Sequence, residues 1–191
     1  MSKDSIVVLV TQNKHKLAEL TPLFNEYEMP FETTSLEKFE IRSKDVEEIA
    51  GAAARHAFMT LNRPVVLDDT GFYVSALKEF PGAYAAFALK SIGYEGILKL
   101  LEGVEDRSAR FVTAVGFCDG PNLETFVGEM RGTISEQPSG SEGFGYDPIF
   151  IPEGFTKTYA ELTFDEKVSI SHRTKAFRAF LEWGTSIPNN P

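Results

Sequence analysis

The chain of 191 residues is long enough to bury a sizeable core, and its composition, 42% hydrophobic and 25% charged, is typical of a soluble globular protein. Its formal net charge of −9 argues against general nucleic-acid binding, which needs a basic face for phosphate contacts. The single Cys118 excludes an internal disulfide framework, and no apolar run has signal-peptide or membrane length. We therefore expect one domain over residues 1–191, in the cytosol and without a membrane partner.

The N-terminal segment predicts a strand followed by a helix. Residues 6–10 are a β-branched run typical of a strand buried on both faces. A helical pattern follows Asn13, and Pro22 predicts a kink or a break in it. Outward-pointing N–H groups at the helix start can bind an anion, with Lys14 and Lys16 adding positive charge. On this segment alone, a plain structural unit with solvated lysines is slightly favoured.

Between residues 31 and 64 the sequence predicts a strand and an alanine-rich helix. The strand covers residues 31–36. Asp45, with Glu48 three residues later, resembles a capping box at the helix start. Glu40 precedes this helix, and taken alone it is more often a surface carboxylate than a ligand.

The most informative stretch is an acidic strand end. Asp68, Asp69 and Thr70 follow the apolar run 65–67, and Gly71 then allows a sharp turn. Neighbouring aspartates repel each other, so they are tolerated mainly where a cation or a proton joins them. For these residues alone, a solvated acidic turn is the better interpretation.

Beyond Gly71 the patterns are mixed. The predicted elements are a strand or loop over residues 72–77, helices over 83–90 and 93–101, a hairpin of 109–118 with 124–130, and a short strand over 149–151.

Two later segments favour ligand contact. Glycines in residues 140–148 permit close backbone approach to a ligand, and Phe144 and Tyr146 lie in the same stretch. The last predicted helix has His172 and Arg173 in its first turn, where the helix dipole disfavours cations. A bound anion or polar ligand would offset that cost, and a solvated helix start is the alternative.

Three separated motifs together resemble one family. They are Thr11-Gln12-Asn13-Lys14-His15-Lys16; Leu67-Asp68-Asp69-Thr70-Gly71 with Phe80-Pro81-Gly82-Ala83-Tyr84; and residues 143–150 with Ala160-Glu161-Leu162, Glu166-Lys167 and Ile170-Ser171-His172-Arg173. In this order, from residue 7 to about residue 183, the chain is similar to the inosine triphosphate pyrophosphatase family, the Ham1-like pyrophosphatases.

The resemblance implies a fold and an activity. The implied fold is an elongated α/β protein with a long mixed β-sheet, flanking helices and two lobes around a central cleft. The implied reaction is hydrolysis of ITP, dITP and XTP to the monophosphate and pyrophosphate, which removes deaminated purines from the nucleotide pool. Mg²⁺ is the implied cofactor and a homodimer the implied assembly.

The resemblance also implies residue roles, and we expect them to share one pocket. Glu40 and Asp69 would hold Mg²⁺ with Asp68 assisting, and Asp69 would orient and deprotonate the attacking water. The expected triphosphate ligands are Thr11, Asn13, Lys16, Thr70 and Lys167; the expected base ligands are Phe144, Gly145, Tyr146, Asp147, His172 and Arg173. Donors from His172 or Arg173 would favour a 6-oxo purine over adenine.

Two departures from the family pattern keep alternatives open. Ala53 stands where members often carry a lysine, and no arginine follows Tyr84 closely. A Maf-like pyrophosphatase acting on other nucleotides is one alternative, although its motifs are absent. A nucleotide-binding regulator without catalysis is the other, and the acidic pair and Lys167 argue against it.

Overall fold

The computed structural model describes residues 6–186, and within them strands and helices alternate. The strands are β1 (Val7–Val10), β2 (Phe31–Thr34), β3 (Val65–Val74), β4 (Pro81–Gly82), β5 (Ser108–Cys118), β6 (Leu123–Ile134) and β7 (Phe150–Pro152). The helices are α1 (Lys14–Glu26), α2 (Val46–Leu61), α3 (Ala85–Leu100), α4 (Phe164–Ile170) and α5 (His172–Ser186). Among them, none combines the length and the apolar composition needed to cross a bilayer.

The strands of the described residues form one mixed sheet. Its order is β2-β1-β3-β5-β6-β7, with β4 paired to β3. β1 runs parallel to β2 and β3, whereas β3–β4 and β6–β7 are antiparallel. The short connection between the neighbours β5 and β6 allows only a hairpin, since parallel strands need a long crossover. The predicted α/β class with a mixed sheet and a hairpin is confirmed.

Some helix boundaries differ from the sequence prediction. α1 continues through Pro22 to Glu26, because Leu20, Leu23 and Phe24 hold the helix against a buried core that outweighs the lost backbone hydrogen bond. Of the two predicted alternatives, a kink or a break, the break is therefore wrong. α3 joins both predicted helices across Gly93, whose φ of 67° interrupts the helical geometry.

Side-chain capping explains two helix starts. Asp45 caps α2 by accepting a hydrogen bond from Glu47 N at 2.8 Å. The expected return contact from Glu48 is absent among the described contacts, and its carboxylate accepts instead from Ser43 Oγ at 2.6 Å. α4 was missed, although Thr163 and Glu166 form a reciprocal capping box there, a Thr-x-x-Glu pattern visible in the sequence.

The chain divides into two compact units, each with its own core. Within the described residues, unit 1 comprises residues 6–69, Thr113–Gly128 and residues 173–186. Unit 2 comprises Thr70–Val112 and Glu129–His172. The buried aromatic side chains of unit 1 include Phe24, Phe117, Phe177 and Phe180, and those of unit 2 include Phe72, Phe111, Tyr146 and Phe150.

Gly116 marks a close approach between β5 and α2 in unit 1. A Cβ atom there would lie 2.6 Å from the carbonyl carbon of Ala50 and closer still to its oxygen. Gly116→Ala should therefore lower the free energy of unfolding by about 1–3 kcal/mol, because backbone atoms must shift. Gly51→Ala is the matched control: its Cβ would lie 3.5 Å from Thr125, and better helix propensity should raise stability by up to about 1 kcal/mol. Urea unfolding measures both, and equal stabilities of the two variants would contradict the packing.

Candidate active site

The two aspartates lie inside β3, which continues to Val74 and does not end at Leu67 as the sequence predicted. Both residues are buried, Asp68 at 3% and Asp69 at 9% exposure. Successive side chains of a strand point to opposite faces of the sheet. The two carboxylates therefore have different neighbours, and this separation lets the strand tolerate adjacent acids.

Asp68 is held by two cations of unit 1. Its Oδ2 accepts hydrogen bonds from Lys16 Nζ at 2.7 Å and from Arg173 Nε at 3.2 Å. Arg173 also donates through NH1 to Glu19 Oε2 at 2.7 Å. Glu19 in turn accepts from Thr174 Oγ1 at 3.2 Å. α1, β3 and α5 thus meet in an ion network that alternates positive and negative groups.

This network sets the protonation state of Asp68. Burial alone would raise the pKa of its carboxyl, but the charges of Lys16 and Arg173 outweigh burial and hold the pKa well below its ordinary range. Burial and the nearby Arg173 lower the pKa of Lys16, although Asp68 opposes both effects. Asp68 is therefore firmly ionised and paired with two cations, and its predicted part in holding the metal ion stays a prediction.

Asp69 has a different environment. Lys38 Nζ donates to its Oδ1 and also contacts Glu40 Oε1 at 3.0 Å. The second oxygen, Asp69 Oδ2, is buried without a hydrogen-bond partner within residues 6–186. Burial raises the pKa of Asp69 above its ordinary value; Lys38 opposes this shift, while Glu40 and Asp68 add to it. The pKa values of these two neighbouring carboxyl groups are thus shifted in opposite directions.

The residues around Asp69 fit a divalent cation. Within residues 6–186, no group of three or more His, Cys, Asp or Glu side chains could hold a metal ion by itself. Mg²⁺, however, is commonly bound by one or two carboxylates together with water and substrate phosphates. Glu40 and Asp69 supply two carboxylates that both contact Lys38 Nζ. Asp69 Oδ2 is a buried acceptor to which no described residue donates.

The turn before α1 is built by its own side chains. Asn13 caps the helix, its Oδ1 accepting from His15 N at 2.9 Å and Lys16 N at 3.4 Å. Thr11 Oγ1 accepts from Asn13 N at 3.2 Å. Asn13 thus has a structural function as an N-cap, besides its predicted role in binding phosphate.

In unit 2 the glycine-rich loop is tied to an ion pair. Lys167 Nζ lies 3.4 Å from Asp147 Oδ2 and donates to Glu142 O at 3.1 Å. Asp147 Oδ2 also accepts from Phe144 N at 3.2 Å. Gly143 has φ of 94°, and a Cβ atom there would lie 3.1 Å from Asp147 Cγ. A glycine is therefore needed where the loop passes this pair.

The rings and polar groups predicted to contact the base differ in exposure. Phe144 keeps 44% of its surface exposed, whereas Tyr146 is buried and stacks on Phe72 with ring centroids 4.5 Å apart. His172 is also buried and stacks on Phe111 at 4.9 Å. Phe144 is therefore the better placed of the two rings for stacking on a ligand. The remaining predicted residues, Thr70 and Gly145, lie in unit 2.

Sequence reasoning missed two residues of the site in unit 1. Glu19 follows Lys16 by three positions, so the helical spacing that places both on one face of α1 could have found it. Lys38 lies between β2 and α2, where no periodicity indicates which way its side chain points. Ala53, noted as a departure from the family pattern, is a buried core position of α2.

Removing one charge from the buried network should destabilise the fold. Glu19→Gln leaves Arg173 without one of its two acidic partners, and we expect the free energy of unfolding to fall by about 3 kcal/mol. Glu26→Gln is the matched control, since its partner Arg178 is 41% exposed and its own side chain 55%. Surface pairs of that kind stabilise little. Equal urea midpoints for the two variants would contradict the importance of the network.

The buried phenol of Tyr146 should make unit 2 sensitive to alkali. Burial raises its pKa to about 12, and its hydroxyl donates to Ala85 O at 2.9 Å. Below pH 10, the ordinary pKa, both folded and unfolded states hold the proton; between about pH 10 and 12 the unfolded state loses it first, so stability falls. The stability advantage over Tyr146→Phe, about 1 kcal/mol near pH 8, should shrink near pH 11.5. A constant difference in guanidinium unfolding would rule this out.

The chain is similar to known proteins over nearly its whole length. A sequence model of the Ham1 family matches residues 7–183. A dITP/XTP pyrophosphatase of Methanopyrus kandleri is 48% identical, over 93% of this chain and 95% of that protein. One of Saccharolobus solfataricus is 47% identical, over 92% and 91%. A HAM1 protein structure from Coxiella burnetii aligns with a TM-score of 0.87 and 31% identity, over 96% of this chain and 100% of that one. The chain therefore belongs to the Ham1 family.

Proposed function

We propose that the chain hydrolyses non-canonical purine nucleoside triphosphates, dITP, XTP and ITP, to the monophosphate and pyrophosphate. The names of the relatives, dITP/XTP pyrophosphatase, support this proposal over nearly the full length of the chain. The observation that carries it is the difference between the two aspartates. Asp68 is neutralised by Lys16 and Arg173, whereas Asp69 has one buried oxygen that finds no hydrogen-bond partner in the described part of the chain.

Phosphoanhydride cleavage depends mostly on positioning and on neutralising spread negative charge. In unit 1, Lys16, Thr11 and Asn13 lie at the start of α1, where backbone N–H groups and positive charge favour an anion. Lys16 is anchored to Asp68 and so held in one place. We assign these residues to the triphosphate, as the sequence predicted. The parts of Thr70 and Lys167 in binding the triphosphate stay predictions from the family resemblance.

Asp69 is our choice for the proton acceptor. Its side chain is buried, and its Oδ2 has no hydrogen-bond partner within residues 6–186, so this oxygen can accept a proton. Mg²⁺ held by Glu40 and Asp69 would neutralise phosphate charge and lower the pKa of a bound water. Asp68 and Arg173 act as positioning residues, because they fix Lys16 and the conformation of β3 around Asp69.

We assign recognition of the purine base to residues of unit 2. A role of Arg173 in recognising the base stays a prediction. Phe144 offers an exposed ring for stacking. Asp147 and His172 offer polar groups for the purine edge, and a donor facing the 6-oxo group would leave adenine with two opposed donors. A homodimer and a cytosolic location also stay predictions from the family resemblance.

Pyrophosphate release tests the proposal directly. The wild-type protein with Mg²⁺ should release pyrophosphate, and no orthophosphate, from dITP and XTP far faster than from dATP. Asp69→Asn should lower kcat by about 10²–10⁴-fold while the fold is retained, because the proton acceptor and a cation ligand are lost together. Asp165→Asn, at an exposed position of α4, is the control that changes the same charge elsewhere.

Two outcomes would contradict the proposal. Release of orthophosphate alone would assign the chain a different cleavage position. Near-normal turnover by Asp69→Asn, with a circular dichroism spectrum like the wild type, would remove Asp69 from the chemistry.

A further inference from the structure

We infer that the Lys38 ammonium is an internal counter-ion that takes the place of the divalent cation between Glu40 and Asp69, and that it must leave when the cation binds. The inference rests on the proposed function in one respect, namely that these two carboxylates are the cation ligands. It adds a residue that competes with the cation.

The contacts of Lys38 define the place. Its Nζ donates to Asp69 Oδ1 and lies 3.0 Å from Glu40 Oε1. One positive group therefore bridges the two carboxylates that would hold the cation. Even with Lys38 in this position, Asp69 Oδ2 is buried and has no hydrogen-bond partner among the residues that the structure describes. The ammonium contacts only some of the carboxylate oxygens of the two acids. An ion with higher charge can also bind the remaining oxygen, Asp69 Oδ2.

Charge makes the two occupants mutually exclusive. An ammonium and a divalent ion a few ångströms apart repel each other strongly when water is partly excluded. The pair Glu40 and Asp69 can compensate the charge of one of them but not of both. A lysine at this point therefore weakens cation binding. Glu40 and Asp69 without this lysine would bind the cation more tightly.

The position of Lys38 permits it to move. It lies between β2 and α2, in a segment with no helix or strand, and its side chain is 22% exposed. Glu40 beside it is 62% exposed. A lysine side chain is a compact charge on a flexible stem of four carbons, so it can turn toward water without a backbone change. Arg173, by contrast, is 5% exposed and held by Asp68 and Glu19, so its contact is permanent.

The inference is tested by cation binding in the absence of nucleotide. Mn²⁺ affinity is measured by electron paramagnetic resonance and calorimetry for the wild type, Lys38→Met and Lys38→Arg. Lys38→Met should bind Mn²⁺ on the order of 10-fold more tightly or better, because the competing charge is gone. Lys38→Arg keeps a cation and should stay close to the wild type. Lys90→Met, which removes an exposed charge in unit 2, should leave the affinity unchanged.

A crystal structure with Mn²⁺ gives the second readout. Anomalous scattering should place the ion between Glu40 and Asp69, with the Lys38 side chain turned away from both. An ion bound there with Lys38 still on Asp69 Oδ1 would overturn the inference. Equal or weaker Mn²⁺ affinity in Lys38→Met, or no Mn²⁺ binding by any variant at millimolar concentration, would also overturn it.

The inference and the proposed function fail in different ways. In one outcome, the wild type releases pyrophosphate from dITP and Lys38→Met binds Mn²⁺ with unchanged affinity. This outcome supports the proposed function and contradicts the inference that Lys38 competes with the cation. Tighter Mn²⁺ binding by Lys38→Met in a protein that releases no pyrophosphate from any purine triphosphate upholds the competition and removes the proposed reaction. Thermal unfolding of each variant confirms that the compared proteins are folded.

Discussion

The alternation of side chains along β3 is the constraint on which the site depends. Two acids that are neighbours in sequence cannot share one environment, since a strand directs them to opposite faces of the sheet. Asp68 meets Lys16 and Arg173, whereas Asp69 meets Lys38 and Glu40. One strand thereby produces a carboxylate that stays ionised far below neutral pH and another whose pKa is raised.

The ion network around Asp68 connects three elements that are far apart in the chain. Lys16 and Glu19 come from α1, and Arg173 comes from α5. Buried charges are tolerated because each is paired, and removal of any partner leaves another charge uncompensated. The network therefore has a structural function, which places Lys16 at the start of α1 and keeps β3 in position for Asp69. The side chains of Glu40 and Asp69 are 62% and 12% exposed, whereas that of Asp68 is 1% exposed.

Local patterns predicted much of the fold, and long-range partners could not be read from them. The β-branched run of β1, the hairpin of β5 and β6, and Asp45 as a cap were all visible in short windows of sequence. The partners of Asp68 lie 52 and 105 residues away, so no pattern indicated which aspartate they would neutralise. Phe144 and Tyr146 were equal candidates for stacking on a base, and the ring of Tyr146 packs in the core of unit 2 against Phe72. In a sequence, an aromatic residue that stacks on a ligand looks the same as one that packs in the core. Only the packing in the structure distinguishes the two.

The central claim, that the two aspartates have separate functions, is tested most directly by comparing the free energies of unfolding of Asp68→Asn and Asp69→Asn in urea without added metal. Asp68→Asn should lose about 3 kcal/mol or more, because Lys16 and Arg173 are left with an uncharged partner. Asp69→Asn should unfold at the wild-type urea concentration or above it, since burial already disfavours its charged form. A loss of stability in Asp69→Asn as large as that in Asp68→Asn, or the reverse order, would contradict the account.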